Sequence, residues 1–229
     1  MDFIQEGFIQ AIKLLANRDP STYSAISATL RSSALAMGAS LLLGIPLGYI
    51  LGYFDFRFKK TIRIIVHTLL SLPTVFIGLV IYALLTRNGP FGEAGLLFTI
   101  PAIAIGQTIL SLPIVIALTA TAVEGADRNL RITLMSLGAN RKQIAASTLW
   151  EVRLGILAAA VTATGRVLTE VGISLMVGGN IKWHTRTITT AIALETSKGE
   201  FGMGIALGLV LLMIALTINV SLVGLRRRI

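Results

Sequence analysis

The sequence predicts an all-α integral membrane protein, and three observations carry this prediction. Apolar residues make up 54% of the 229-residue chain, charged residues only 14%, and the mean hydropathy is +0.80. Soluble domains carry about 25% charged residues, so a soluble fold is excluded, and the apolar content is too high for a disordered chain. The charged residues also form short clusters between long apolar runs, as in the loops of a membrane protein.

Five apolar runs are long enough to cross a bilayer, since one crossing takes about 20 helical residues. The predicted transmembrane helices cover residues 32–54, 64–86, 97–123, 154–177 and 201–225. A turn signal, Arg87-Asn-Gly-Pro90, follows the second run, and Gly178-Gly-Asn-Ile181 ends the fourth. We therefore expect one membrane domain at residues 25–223, preceded by a separate N-terminal segment at 1–24.

The basic residues predict the orientation of these helices. Twelve Lys and Arg residues, including Arg57, Arg141 and the terminal 226–228 triplet, fall on one side of the membrane, and seven fall on the other. The side richer in Lys and Arg is the cytoplasmic side. Because five crossings place the termini on opposite sides, we expect the C-terminus in the cytoplasm and the N-terminus outside.

The first 16 residues form an amphipathic pattern of their own. Apolar residues share one helix face, namely Phe3, Ile4, Phe8, Ile12 and Leu15. Asp2 and Glu6 stand where a signal peptide has basic residues, which argues against cleavage. We expect an interfacial helix on the outer surface, and an additional span sunk into the lipid is the alternative.

The polar stretch at residues 124–153 predicts two short helices joined by a glycine corner. The first helical pattern contains Leu130, Ile132, Leu134, Met135 and Leu137. Gly138 stands where a helix end favours glycine, and a second helical pattern follows from Asn140 to Trp150. A corner at Gly138 and Ala139 has little side-chain bulk, so the groove of a partner protein can approach its backbone. The alternative is a compact helical hairpin without a partner.

The motif Ser136-Leu-Gly-Ala139, followed by Arg141-Lys-Gln-Ile144, resembles the coupling loop of ABC importer permeases. Ile132 and Glu151 stand where the motif of that family has glutamate and proline, a departure that is most similar to the tungstate permeases. Further segments resemble the same permeases and their molybdate/tungstate branch: Leu43-Gly-Ile-Pro-Leu-Gly48, Ser71-Leu-Pro-Thr-Val75, Gly165–Gly172 and Met176–Ile181. The resemblance covers roughly residues 25–223.

This resemblance implies a type I ABC importer permease that works as a homodimer in the cell membrane of a prokaryote. A groove of an ATP-hydrolysing partner subunit would receive the loop residues Ser136, Leu137, Gly138, Ala139, Asn140 and Arg141. An extracytoplasmic binding protein would deliver an oxyanion, tungstate or molybdate. The sequence contains no G-x-x-x-x-G-K-[ST] phosphate loop, which agrees with ATP hydrolysis in a separate chain.

Two charges interrupt the fourth apolar run. Arg166 and Glu170 are four residues apart, so a continuous helix places them on one face, where they can pair. Pairing reduces the roughly 2.5–3.5 kcal/mol that each charge costs at the centre of a bilayer. Two interpretations stay open: a structural pair that holds helices together, or an Arg166 that lends positive potential to a passing dianion.

Other polar residues and prolines within the runs are candidates for the lining of a transport path. They are Ser71, Pro73, Gln107, Ser111, Thr162 and Thr169. A proline inside a span kinks its helix, either around a pore or only for packing. Gln107 and Ser111 share one face of the third run, where they line the path or bond a neighbouring helix.

Several other classes of function are excluded or less favoured. The chain has no cysteine and only two histidines, so neither thiolate chemistry nor a transition-metal site is expected, and no cofactor is predicted. The net charge of +9 does not indicate nucleic-acid binding, because the basic residues lie in short loops. No clustered catalytic groups support a membrane enzyme. A permease for sulfate or phosphate is an alternative, as is a self-sufficient channel or secondary carrier, although the latter lacks an inverted repeat.

Overall fold

The computed structural model describes residues 2–226, and this part of the chain is helical with no β-strand. The first five helices are α1 (Asp2–Ala16), α2 (Pro20–Tyr53), α3 (Lys59–Leu69), α4 (Thr74–Leu85) and α5 (Ile100–Glu124). The others are α6 (Arg128–Ser136), α7 (Arg141–Glu151), α8 (Arg153–Leu168), α9 (Gly172–Gly178), α10 (Ile188–Ser197) and α11 (Phe201–Arg226). A short 3-10 helix, Gly92–Ala94, precedes α5.

Three of these helices are long and apolar enough to cross a membrane by themselves. They are α2, α5 and the Phe201–Leu222 part of α11. Two further pairs of helices pass the same length and composition criteria together, although each pair is bent: α3 with α4 by 97°, and α7 with α8 by 64°. If each bent pair makes one crossing, the described residues contain up to five crossings, the number that the sequence predicts, although the second pair covers residues 141–168 rather than the predicted span at 154–177.

The predicted span at residues 64–86 is not a single helix. It divides into the end of α3 and the whole of α4, and the chain between them includes Leu72 and Pro73. Pro73 has no backbone N–H to donate, and it disfavours a helical conformation for Leu72. The proline therefore separates two helices rather than bending one.

The predicted span at residues 154–177 is broken as well. Helix α8 ends at Leu168, and a separate helix, α9, begins at Gly172. In the break, a carboxylate oxygen of Glu170 accepts a hydrogen bond of 3.0 Å from the backbone N–H of Ile173. Glu170 therefore satisfies an N–H group in the first turn of α9, as helix-capping side chains do.

Helix α2 begins 12 residues before the predicted span at 32–54, inside the segment expected to be separate from the membrane domain. Asp19 caps it by accepting a hydrogen bond of 2.8 Å from the Thr22 N–H, and Pro20 occupies the first turn. Partial burial opposes ionisation of Asp19, but hydrogen bonds from Ser21 and Thr22 outweigh it and hold the pKa below its usual value. At about 1.5 Å per residue, α2 is roughly 50 Å long and exceeds the hydrocarbon core of about 30 Å.

Helices α2 and α5 lie side by side at the centre of the bundle. Ser40 Oγ of α2 and Ser111 Oγ of α5 are 2.6 Å apart. Eight residues further along both helices, a Cβ atom placed on Gly48 would lie 2.6 Å from the Cβ atom of Thr119. The equal spacing shows that the two helices run in the same direction, in close contact.

Helix α1 packs against α11, which confirms the predicted N-terminal helix but changes which face makes protein contacts. Ala11 is buried in a cluster with residues of α10 and α11, and Leu15 packs at its edge. Phe8 and Ile12, which belong to the predicted apolar face, are each 56% exposed. The Phe3 and Ile4 side chains of that face lie outside the described residues, as do residues 227–229 of the terminal basic cluster. Helix α1 thus contacts the bundle through residues such as Ala11 and Leu15, and the large apolar side chains of Phe8 and Ile12 stay exposed.

Candidate functional site

The loop after α5 has the predicted form of helix, glycine corner and helix. Gly138 adopts a left-handed backbone conformation with φ +77°, which an L side chain rarely adopts. Asn140 then begins α7 with a reciprocal capping box: its side chain accepts from the Gln143 N–H at 2.9 Å, and the Gln143 side chain accepts from the Asn140 N–H at 2.8 Å. The corner is therefore defined by the local sequence.

Large apolar side chains on this loop face solvent. Leu137, next to the corner, is 78% exposed, and Trp150 near the end of α7 is 65% exposed. Ile132 and Met135 of α6 are exposed as well. A patch of this kind marks a surface that binds another molecule. Among the six predicted loop residues, only Ala139 is partly buried, and Ser136, Leu137, Gly138, Asn140 and Arg141 are exposed.

An ion cluster that the sequence did not predict anchors the base of the loop. Glu124, the last residue of α5, forms ion pairs with Arg63 and with Lys59 of α3, the latter at 3.2 Å. Lys59 Nζ also lies 3.2 Å from Asp55 Oδ1. A cavity of ≈ 670 Å³ adjoins the cluster and reaches Met135 of α6. The signal that could have indicated it was the basic cluster at 57–63 combined with an acidic residue at the end of an apolar run.

The expected ion pair between Arg166 and Glu170 is absent from the described structure. The prediction assumed a continuous helix, whereas α8 ends between the two residues at Leu168. Glu170 is only 4% exposed and turns inward to Ile173, and its backbone carbonyl accepts a hydrogen bond of 2.8 Å from Thr189 Oγ1. Arg166 is exposed, and no carboxylate among the described side chains lies within 4 Å of it.

Arg166 belongs to a row of exposed residues along α8, which we call the α8 stripe: Ala158, Thr162, Arg166 and Thr169, the last at the helix end. The opposite face of α8, with Ala163 and Val167, is buried against α2 and α5. Thr162 Oγ1 donates a hydrogen bond of 2.9 Å to the Ala158 carbonyl, and Thr169 Oγ1 donates one of 3.0 Å to the Gly165 carbonyl. The stripe thus combines one charged side chain with hydroxyl groups that are satisfied by their own helix.

The other candidate lining residues fall into two groups. Ser71 and Pro73 are exposed at the break between α3 and α4, and their place on a transport path stays a prediction. Gln107 and Ser111 are 2% and 0% exposed, because their face of α5 is covered by neighbouring helices. Ser111 Oγ bonds Ser40 Oγ and also lies 2.8 Å from the Gln107 carbonyl. Within the single subunit these two residues therefore lie on no open surface, and Ser111 connects α5 to α2.

The break between α3 and α4 adjoins the break between α8 and α9. A Cβ atom placed on Gly172, at the start of α9, would lie 3.0 Å from Thr74 Oγ1, at the start of α4. Further along, a Cβ atom on Gly78 of α4 would lie 3.0 Å from Met176 Cβ of α9. Helices α4 and α9 therefore begin at the same place and run in the same direction. Ser71 and Pro73 precede one of these helix starts, and Thr169 and Glu170 precede the other.

Comparisons with known proteins agree with this architecture. The family described as "Binding-protein-dependent transport system inner membrane component" matches residues 44–229. The chain is 48% identical over 219 residues to the tungstate uptake system permease protein TupB of Campylobacter jejuni, covering 96% of this chain and 92% of that protein. It is 38% identical over 226 residues to TupB of Peptoclostridium acidaminophilum, covering 99% of each.

A solved structure has the same fold at low sequence identity. The structure described as inward facing conformations of the MetNI methionine ABC transporter aligns with a TM-score of 0.67 and 17% identity. The alignment covers 92% of this chain and 96% of the other. The observed fold is therefore that of type I ABC importer permeases.

Proposed function

Because the chain belongs to the family of binding-protein-dependent transport system inner membrane components, and is an oxyanion ABC importer permease subunit, we propose that it carries tungstate into the cell. Two relatives that cover more than nine-tenths of the chain are tungstate permeases by name. Molybdate, a tetrahedral dianion of the same charge, is the second cargo that the branch implies. ATP is hydrolysed by separate subunits, since this chain has no phosphate loop.

The α8 stripe is the observation that supports the proposed transport path. Arg166 lies inside an apolar span yet faces away from its own bundle. A charge at that depth that faces lipid costs roughly 2.5–3.5 kcal/mol, so intramembrane charges face a bundle interior or a water-filled cavity. A second copy of the chain, placed against this face, provides such a cavity. We infer a homodimer in which the two α8 stripes line a central aqueous path.

The exposed apolar patch on the loop supplies the contact with the ATPase. Exposed Leu137 lies next to a corner where nothing lies within 4 Å of a Cβ atom placed on Gly138, and Trp150 is exposed near the far end of α7. This shape accepts the groove of a partner subunit on the cytoplasmic side. An extracytoplasmic binding protein docks at the opposite end, near the outer turns, and delivers the anion. The N-terminus lies outside in this arrangement and the C-terminus lies in the cytoplasm.

Uptake by proteoliposomes tests the proposed function. Vesicles that contain the permease, its ATPase and the binding protein are expected to accumulate tungstate only when ATP is present on the ATPase side. Vesicles without the ATPase, or without the binding protein, serve as controls and are expected to take up none. Tungstate uptake by the permease alone would identify a channel or secondary carrier and overturn the proposal.

The orientation has its own test, because the chain has no native cysteine. Lys182→Cys is expected to react with an impermeant thiol reagent added outside intact cells, and Arg141→Cys only after the membrane is opened. Both native side chains are exposed, so accessibility within the subunit is matched. The reverse labelling pattern would invert the orientation.

A further inference from the structure

We propose that the Arg166 side chains of two copies form a weak transit site for a divalent tetrahedral oxyanion on the central path. The inference rests on the proposed function, because it requires the homodimer and its aqueous path. It adds a ligand-binding residue and a ligand class: an anion of charge −2, such as tungstate, molybdate or sulfate.

The depth of Arg166 supports this assignment. It is the thirteenth residue after Arg153, where α8 begins, so it lies about 20 Å along the helix axis at 1.5 Å per residue. The hydrocarbon core is about 30 Å thick, which places the guanidinium well inside it. Its neighbours on the stripe are hydroxyl and methyl groups, so the positive charge is the dominant electrostatic feature of that surface.

No acidic side chain among the described residues neutralises Arg166. Helices α2, α5, α7 and α11 pack around α8. Helices α2 and α11 carry no acidic residue, α5 carries only Glu124, and α7 carries only Glu151, which lies before the first residue of α8 and is not paired with Arg166. Glu124 is engaged with Lys59 and Arg63 at the end of α5. Glu170 is buried and bonded to Ile173. The Glu170 of a second copy is equally buried, so the counter-charge must come from a mobile ion.

The charge of the site matches a dianion. Two copies bring two guanidinium groups to one path, and their mutual repulsion is offset when an ion of charge −2 lies between them. Guanidinium groups bind tetrahedral oxyanions through paired N–H donors. A monovalent anion leaves half of the positive charge uncompensated, and a cation is repelled.

The same surroundings keep the site weak, as transit requires. The hydroxyl hydrogens of Thr162 and Thr169 already donate to backbone carbonyls of α8, so they do not donate to the anion. Tight oxyanion sites surround the ligand with many donors, whereas here the guanidinium groups are the main ones. We therefore expect the site to attract dianions without distinguishing tungstate from sulfate, and selection to take place in the binding protein.

Charge restoration at a single cysteine tests the site. Arg166→Cys introduces the only thiol in the chain, so a methanethiosulfonate reagent modifies that position alone. In vesicles with ATPase and binding protein, the unmodified variant is expected to lose about tenfold or more of its tungstate uptake, the equivalent of one charge-assisted hydrogen bond. ATP hydrolysis stimulated by the binding protein is expected to persist. A trimethylammonium-ethyl adduct should restore uptake, and a sulfonatoethyl adduct should not.

Arg57→Cys is the matched control, because it removes one exposed arginine from the turn between α2 and α3, outside the stripe, the ion cluster and the glycine corner. Its uptake is expected to stay at the wild-type level with either adduct. If Arg166→Cys fails to assemble, Arg166→Lys and Arg166→Gln replace it: lysine is expected to keep most of the uptake and glutamine to lose it. Equal uptake by these two variants would overturn the site.

The outcomes separate this inference from the proposed function. In one outcome, the cysteine at position 166 reacts with both reagents, but tungstate uptake does not depend on the charge of the adduct. That result refutes the anion site and leaves the homodimeric path intact. A cysteine that reacts with neither reagent shows that the stripe is not in water. That result removes both the path and the site.

Discussion

Helices α5 and α8 carry polar residues within apolar spans, but they turn them in opposite directions. On α5, Gln107 and Ser111 face the bundle, and Ser111 bonds Ser40 of α2 at 2.6 Å. On α8, Thr162 and Arg166 face outward, and Ala163 packs inward. An inward polar group such as Ser111 can connect two helices of one subunit, whereas an outward polar group within a span must meet water or another subunit.

Disruption of the contact between α2 and α5 is expected to reduce the stability of the subunit more than any other change considered for these two helices. Gly48→Leu adds a Cβ atom only 2.6 Å from Thr119 Cβ and 2.8 Å from the Ile116 carbonyl oxygen, and the rest of the side chain needs further space. Overpacking of this kind costs about 1–3 kcal/mol or more, so we expect a lower melting temperature and less folded subunit in detergent. Gly38→Leu is the control on the same helix, because nothing lies within 4 Å of its added Cβ atom. Equal losses in both variants would show that α2 and α5 do not pack as described.

Cysteine accessibility compares the two polar faces directly. Thr162→Cys on α8 is expected to react with a small hydrophilic thiol reagent in the assembled transporter. Ser111→Cys on α5 is expected to react slower by on the order of a hundredfold, since a buried site reacts only after local opening. Rates measured by mass shift over time give the ratio. Similar rates at the two positions would remove the distinction between inward and outward faces.

The glycine corner at Gly138 is an exposed surface outside the membrane, and its substitution tests contact with a partner. Gly138→Leu has open space for its side chain but adopts φ +77°, a conformation that costs an L residue about 1–2 kcal/mol. We expect normal insertion of the subunit and weak recovery of the ATPase in co-purification. Gly199→Leu carries the same strain at φ +84° with the same open space, between α10 and α11. If Gly199→Leu loses the ATPase to the same extent, backbone strain rather than docking explains the loss.

Loss of the hydrogen bond between α2 and α5 is expected to change the free energy of unfolding only slightly. A double-mutant cycle with Ser40→Ala and Ser111→Ala is expected to give a coupling free energy of about 0.6 kcal/mol, typical of hydrogen bonds between membrane helices. The parallel cycle with Thr162→Val and Arg166→Gln on α8 should give no coupling in the isolated subunit, because Thr162 bonds its own backbone. Unfolding in mixed detergent measures both. A coupling near zero for the serine pair would mean that it does not connect the helices.

The sequence predicts those parts of the candidate site that depend on residues close together in the chain. Gly138 followed by Asn140 and Gln143 specifies a corner and a capping box within six residues, so a single stretch of sequence was enough. The error at Arg166 and Glu170 arose because a spacing of four residues predicts a shared face only in an unbroken helix. The ion cluster of Glu124 with Lys59 and Arg63 joins residues more than 60 positions apart in the chain, so the sequence shows the charges, but only the packing of α3 against α5 pairs them.

The membrane class, the number of apolar runs, the glycine corner and the permease family could all be predicted from the sequence. These properties depend on composition and on neighbours along the chain, which set transfer free energies and backbone preferences. The burial of Ser111 against Ser40, and the exposure of Thr162 and Arg166, depend instead on how the helices pack. A uniformly apolar helix has no preferred buried face of its own, so the packing of its neighbours decides which polar residues turn inward and which remain for a partner.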